Sequence, residues 1–192
     1  MGHSQAEKFA THQRIVEVAA KRFREVGLEG ISVADVMSEA GLTVGGFYKH
    51  FQSRDDLVVE VLTVCLTDLS PWEATARSNL KKAIRTYLSV LHRDDPSGGC
   101  GLSSLVNDVG RSTIAAKEAY SVGLRRVFDT VEGALPASIT DERRSKSMLI
   151  FSACVGALSL SRAVADKEFS EQILDEVSEQ LVALFAPSKR RV

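Results

Sequence analysis

An all-α fold is predicted for this chain, with a short N-terminal three-helix unit followed by a longer helical part. Three observations predict it. Apolar residues recur at i, i+3 and i+4 in one segment after another, the spacing that lines up one face of a helix. Strict period-two alternation never persists, which removes a strand reading. Ser-x-x-Asp patterns stand where two of the helical stripes begin, at Ser32–Asp35 and Ser53–Asp56, the form of a capping box. The 192 residues, 44% of them apolar, suffice for one ordinary domain or a small domain joined to a larger one. The division is expected near residue 56, giving 1–56 and 57–192.

The first long helix is expected from about Gln5 or Thr11 to Val26. Ile15, Val18, Ala19, Phe23 and Val26 make its apolar stripe against charged Arg14, Glu17, Lys21 and Arg24. Gly27 is a natural residue just past its end, and Leu28 supplies the hydrophobic closing contact. In Ile31–Asp56, Ser32 N-caps a short helix carrying Val33, Val36 and Met37. Gly41 stands where the chain reverses. Thr43 is placed to cap the next helix, in which Phe47 and Phe51 lie i, i+4 and point inward together. Phe23, Val36, Phe47 and Phe51 would then form a small shared core. Helix, glycine turn and short helix is the helix-turn-helix plan, whose second helix enters the DNA major groove.

The segment from Gly27 onward also resembles the DNA-binding domain of the tetracycline-repressor (TetR) family of transcription regulators. The residues that carry the likeness are Gly27, Ile31–Val36, Ala40-Gly41-Leu42-Thr43, Phe47-Tyr48-Lys49-His50-Phe51 and Ser53-Arg54-Asp55-Asp56-Leu57. Close matching covers roughly residues 12–62, about a quarter of the chain; the remainder matches in length and helical character. The resemblance implies a helical C-terminal domain for ligand binding and dimerisation. It also implies that the helix opening at Ser53 links the two parts and moves the recognition helix when its N-terminal end moves. It assigns phosphate contacts to the Tyr48 and His50 positions.

The chemistry of the residues adds its own candidates. Lys49 offers a point charge, His50 and Tyr48 offer donors, and Arg54 sits at the next helix start. Ser32 stands at a helix N-terminus, where backbone N–H groups favour anions. Base reading falls to Thr43, Val44, Gly45 and Tyr48; Val44 senses only apolar surface such as a thymine methyl. Gly45 and Gly46 each cost about 1 kcal/mol against Ala in a helix, which close approach to DNA or to the neighbouring helix would explain. Because one such unit binds weakly, a twofold dimer reading a palindromic double-stranded operator is expected.

Downstream, Ser53 opens a helix through Leu57, Val61, Leu62, Cys65 and Leu69, and Ser70-Pro71 ends it or marks the first position of a new one. Leu80, Ile84, Tyr87, Leu88 and Leu91 mark the next helix, and His92–Gly101 reads as a loop. A helix with Leu102, Leu105, Val106 and Val109 follows, then one from about Thr113 to Ala134, which Pro136 closes. From Thr140 to Ala165 the pattern changes: Met148–Leu160 is apolar nearly all round, and Ala153, Gly156, Ala157 and Ser161 permit close helix approach. The last helix, about Ser170–Phe185, carries Ile173, Val177, Leu181, Leu184 and Phe185 on one side. These two helices, at about 140–165 and 170–185, are expected to form the homodimer interface. The tail from Pro187 is expected to fray. Leu62, Tyr87, Leu105, Tyr120, Phe128, Phe151 and Cys154 are candidates to line an effector pocket, the effector being a small molecule of unknown identity.

Several classes are set aside. The net charge of −1, with seven Lys/Arg against eight Asp/Glu in residues 1–56, shows no global basic footprint, so any DNA contact must be local. Three dispersed cysteines without a CxxC argue against a disulfide framework or zinc finger and fit a reduced cytoplasm. His92, Asp94, Asp95 and Cys100 match no metal-ligand spacing, so no metal and no cofactor is expected. Cys100, between glycines, is a redox-sensing candidate only if exposed. No nucleophile–base–orienter set occurs, so no catalytic residue is assigned and an enzyme is not expected. No apolar run long enough for a membrane span occurs, and the N-terminus lacks a signal core. The function so read is a ligand-responsive repressor released from its operator by the effector. The competing reading is a helical ligand- or protein-binding module with a vestigial helix-turn-helix.

Overall fold

The computed structural model describes residues 5–186, so the expected fraying from Pro187 lies outside the described residues. Among these, every regular element is helical: α1 (Gln5–Val26), α2 (Val33–Glu39), a 3-10 helix (Val44–Lys49), α3 (Arg54–Thr67), α4 (Ser70–Ser78), α5 (Leu80–Tyr87), α6 (Val90–Asp94), α7 (Gly101–Ser104), α8 (Val106–Arg111), α9 (Ile114–Ala134), α10 (Arg143–Ala163) and α11 (Lys167–Phe185). None of the helices is long and apolar enough to cross a membrane.

The chain forms two compact units. One takes the chain up to Thr67 together with Ser97–Ser121; the other takes Asp68–Pro96 and the chain from Val122. The compact grouping around the helix-turn-helix is thus wider than residues 1–56, because α3, Leu105, α8 and the start of α9 contribute to the same core.

In the first unit α1 buries Ile15, Val16, Ala19, Ala20 and Phe23. It stops at Gly27, whose φ of +80° is a conformation that a side chain disfavours by about 1–2 kcal/mol. Val36, Phe47 and Phe51 join Phe23 as expected, all nearly inaccessible, and Leu57, Val61, Leu62, Cys65, Leu105 and Val109 extend this core.

In the second unit Trp72, Tyr87 and Phe151 form an aromatic cluster with ring centroids 5.7–5.9 Å apart. The Trp72 indole N–H donates to the Ala83 carbonyl at 3.1 Å. α10 and α11 pack along one another, and Ile150, Cys154, Ala157 and Leu158 of the first and Leu174, Leu181 and Val182 of the second are buried. Asp166 caps α11 by accepting from the N–H groups of Glu168 and Phe169, so this helix begins at Lys167, ahead of the expected Ser170.

Several expectations are corrected. The helix expected to carry Leu80 through Leu91 ends at Tyr87, and Leu91 is 84% exposed on the separate short α6. Ser89 caps α6, its hydroxyl accepting from the His92 N–H, so the predicted loop shortens to begin after Asp94. Leu181 and Phe185 are buried, whereas Leu184 is 63% exposed, so the apolar stripe of α11 divides between two faces. At Gly156, by contrast, a Cβ would meet open space within the chain, so no neighbour inside the protomer accounts for glycine there.

Candidate nucleic-acid interface

The helix-turn-helix is held by short-range bonds. The Ser32 hydroxyl accepts from the Asp35 N–H at 3.2 Å and donates to the Asp35 carboxylate at 2.6 Å, while the Ser32 N–H donates to the same carboxylate. The Ser32 hydroxyl and backbone bonds hold the Asp35 carboxyl below its usual range. This commits the Ser32 proton to the cap; its expected contact with a phosphate would have to break that bond. At the other end of α2, the N–H of Gly41 donates to the Ser38 carbonyl and that of Leu42 to the Met37 carbonyl. This is the paired C-terminal bond pattern that a left-handed residue permits, and Gly41 has φ +71°.

The second helix is a 3-10 helix, not the regular turn of α-helix its spacing suggests. Gly45 and Gly46 give little support to α geometry, and the Thr43 side chain makes no cap bond. The Gly46 and His50 N–H groups each reach back three residues, to the Thr43 and Phe47 carbonyls. Phe47 and Phe51 nonetheless stack inward, 5.2 Å between centroids. Thr43, Val44, Gly45, Tyr48 and Lys49 are left exposed together, Val44 by 48% and Tyr48 by 72%. A Cβ on Gly45 would meet open space and one on Gly46 only an ordinary contact with Met37, so packing within the chain does not require glycine at either position.

Arg54 is directed differently from its expected role. Its guanidinium donates to the Leu28 carbonyl and to Glu29 and lies 5.8 Å from the centroid of the Phe23 ring. It ties the start of α3 to the end of α1, a structural use of its charge.

His50 lies between the exposed face and α1. Its ring stands 5.6 Å from that of His12, which stacks on Phe51 and is hydrogen-bonded to Glu60 of α3 at 2.6 Å. His50 Nδ1 is buried without a hydrogen-bond partner. Burial first, then the nearby charges of His12, Lys8 and Lys49, push the His50 pKa below its usual value. The unfolded chain therefore binds more protons than the folded one below about pH 6.5, and this contribution to stability is lost as pH falls from there toward the folded pKa. Urea unfolding at pH 7.5 and 5.5 is expected to show a larger loss for the native chain than for His50→Asn. Equal losses would remove His50 as the cause.

Against the α1 side of this face lies a groove of about 690 Å³ whose walls include Lys8, Arg14, Thr43, Lys49 and His50. Lys8 and Arg14 were missed in the sequence reading, although Lys8, Thr11 and Arg14 follow one i, i+3, i+6 ridge of α1.

The effector-pocket candidates fall into both units. Leu62 and Leu105 are buried in the first core, and Tyr120 packs against it with its hydroxyl donating to the Leu102 carbonyl at 2.6 Å. Burial, then the Cys100 charge, raises the Tyr120 pKa. Tyr87, Phe128, Phe151 and Cys154 belong to the second unit, where Phe128 meets Phe151 edge-on. Trp72, a neighbour of these rings, was not singled out from sequence; its place after Ser70-Pro71 was the only signal. Cys100 is buried, so the exposure a sensing thiol requires is not met. His92 Nδ1 lies 2.7 Å from the Tyr87 carbonyl, and among the described residues no group of three His, Cys, Asp or Glu is placed to hold a metal.

Comparison with known proteins bears on the same segment. Residues 15–61 match the family described as bacterial regulatory proteins, tetR family. The HTH-type transcriptional repressor KstR2 of Rhodococcus jostii is 36% identical over 62 residues, 32% of this chain and 30% of that protein. An HTH-type transcriptional regulator of Staphylococcus aureus is 42% identical over 50 residues, 26% of this chain and 27% of the other. The matched stretch thus spans about 30% of these relatives' own length. Among solved structures, a TetR-family transcriptional regulator from Cytophaga hutchinsonii superposes with a TM-score of 0.77 at 18% identity, covering 98% of this chain and all of that one. The FadR regulator of Bacillus subtilis, solved with stearoyl-CoA, gives 0.68 at 16%, covering 89% and 97%. At these identities the structures show the fold.

Proposed function

Because the chain belongs to the tetR family of bacterial regulatory proteins, we propose that it is a transcriptional repressor that binds a palindromic operator as a homodimer and releases it on binding a small molecule. The family is one of regulators, not enzymes. The observation that carries the reading is the exposed set Thr43, Val44, Gly45, Tyr48 and Lys49 standing over buried Phe47 and Phe51. The core is filled by the inward side chains, and these outward groups are unused by it. Tyr48, Lys49 and His50 set position on phosphates; Thr43, Val44 and Gly45 meet base edges. Such a chain works in the cytoplasm, where its DNA lies.

The homodimer is proposed through α10 and α11, the helices expected at about 140–165 and 170–185. Leu149, Ala153, Gly156, Leu160 and Ala163 follow one face of α10 at alternating four- and three-residue steps. Leu149 and Leu160 on it are 56% and 61% exposed, and Phe169 and Leu184 on α11 are 52% and 63% exposed. An apolar face with this spacing is suited to a second copy of the same helices. Two recognition helices in a twofold dimer lie about 34–36 Å apart, one turn of duplex. For the effector, the apolar side chains that the second unit gathers at Tyr87, Phe128, Phe151 and Cys154 suit a largely apolar molecule; the stearoyl-CoA bound by FadR is an example of that class.

Selection from randomised duplexes, with mass determination of the complex, tests the reading. A palindromic consensus bound by two or four chains supports it; no enrichment at low salt overturns it in favour of a helical binding module. Within the selected site, Val44→Asn is expected to change the preferred base more than the affinity, because it replaces an apolar contact by a hydrogen-bonding one worth about 1–3 kcal/mol of discrimination. An unchanged consensus would place base reading elsewhere.

A further inference from the structure

We propose that α1 supplies a second phosphate seat to the interface, in which Lys8 and Arg14, facing Lys49 across the groove, hold a backbone phosphate of the bound duplex. This rests on the DNA-binding reading above and adds to it a contact that the helix-turn-helix does not contain.

The placement of charge carries it. Among the described residues Lys8, Arg14 and Lys49 enter no ion pair, whereas Arg22 is held by Glu25 and Glu39 and Arg54 by Glu29. The scaffold neutralises the cations it uses and leaves these three unneutralised around one groove of about 690 Å³. Glu7 is the only carboxylate among the groove's described lining residues. Three cations against one carboxylate leave an excess of like charge that repels, and an external anion reduces that cost. Burial is the first cause that lowers the His50 pKa, and His12, Lys8 and Lys49 act in the same direction from around it. The groove's inner wall carries Thr43 and Gly46, next to exposed Val44 and Tyr48. A strand whose bases face that helix therefore has its backbone within reach, so a duplex phosphate, not a free anion, is the occupant assigned. The chain's net charge of −1 is no obstacle, because binding depends on where cations are placed.

A phosphate seated beside His50 also favours its charged form. Between the lowered pKa of the free protein and the higher pKa of the complex, binding takes up protons, so affinity rises as pH falls. The groups that face His50 in that titration are Lys8 and His12 of α1, Lys49 of the 3-10 helix, and Glu60 of α3 through its bond to His12.

The test uses the full chain and the duplex that it selects, with affinity measured from 50 to 300 mM salt. Lys8→Gln with Arg14→Gln is expected to bind at least ~10-fold more weakly at 100 mM and to lower the salt slope by about 1.8, one phosphate per protomer. Its urea midpoint and the ranking of sequences it selects should stay as in the native chain. Glu7→Gln, of opposite sign, is expected to strengthen binding; a general folding defect cannot produce both effects. A slope unchanged in the double variant, while the native chain still selects a consensus, overturns the seat alone. A native chain that selects no duplex overturns the DNA-binding reading, and the seat falls with it.

Discussion

Leu149→Glu combined with Leu160→Glu is expected to leave the protein monomeric and to weaken operator binding by about 1,000-fold, since each buried unpaired carboxylate costs several kcal/mol. The two positions are eleven residues apart, three helical turns, and so share a face of α10. Both are largely exposed in the single chain, so Glu at either is solvated there and the fold of the protomer should survive. In a dimer of the proposed geometry four carboxylates would be brought into one apolar contact. Without the dimer, each chain engages one half-site, and the gain from linking two half-sites is lost. Sedimentation equilibrium reads the mass, circular dichroism the helix content, and titration of the selected duplex the affinity. A helical monomer that still binds the full palindrome as tightly as the native chain would separate dimerisation from DNA binding. An unchanged dimer would move the interface off α10.

Tyr48→Ala with Lys49→Ala is expected to weaken binding to every duplex, selected or not, by about 100-fold at 100 mM salt, with the salt slope lower by about 1.8 from the two Lys49 charges of a dimer. The effect should be uniform across sequences because phosphate contacts set position without reading bases. Neither side chain is used by the core: Tyr48 is 72% exposed, touching Phe47 only edge-on, and Lys49 is exposed. The urea midpoint should therefore stay close to the native value. Affinity unchanged in the double variant would remove both residues from the interface. A loss confined to one sequence would turn Tyr48 from a positioning residue into a base-reading one.

What the sequence determined by itself was local. Ser32 and Asp35, Ser53 and Asp56, Gly41, and Phe47 with Phe51 each lie within a few residues of their partners, and such partners meet whatever else the chain does. The all-α class, the inward aromatics and the outward set beside them were legible for this reason. Helical period also names a face, but not the neighbour that covers it. Leu184 was placed with Leu181 and Phe185 by spacing, yet stands in the open because the packing of α11 covers only part of the stripe. The grouping of Ser97–Ser121 with the N-terminal helices depends on contacts between distant segments, which no local pattern announces. Long charged side chains are the least legible. Arg54 looked available for a phosphate, but the Leu28 carbonyl, Glu29 and the Phe23 ring hold it. Arg14 looked like ordinary solvated charge on α1 and nothing in the sequence marked Lys8; only folding set them across a groove from Lys49. A flexible cation goes to whichever carbonyl, carboxylate or ring the folded chain brings within reach, and that is a property of tertiary structure.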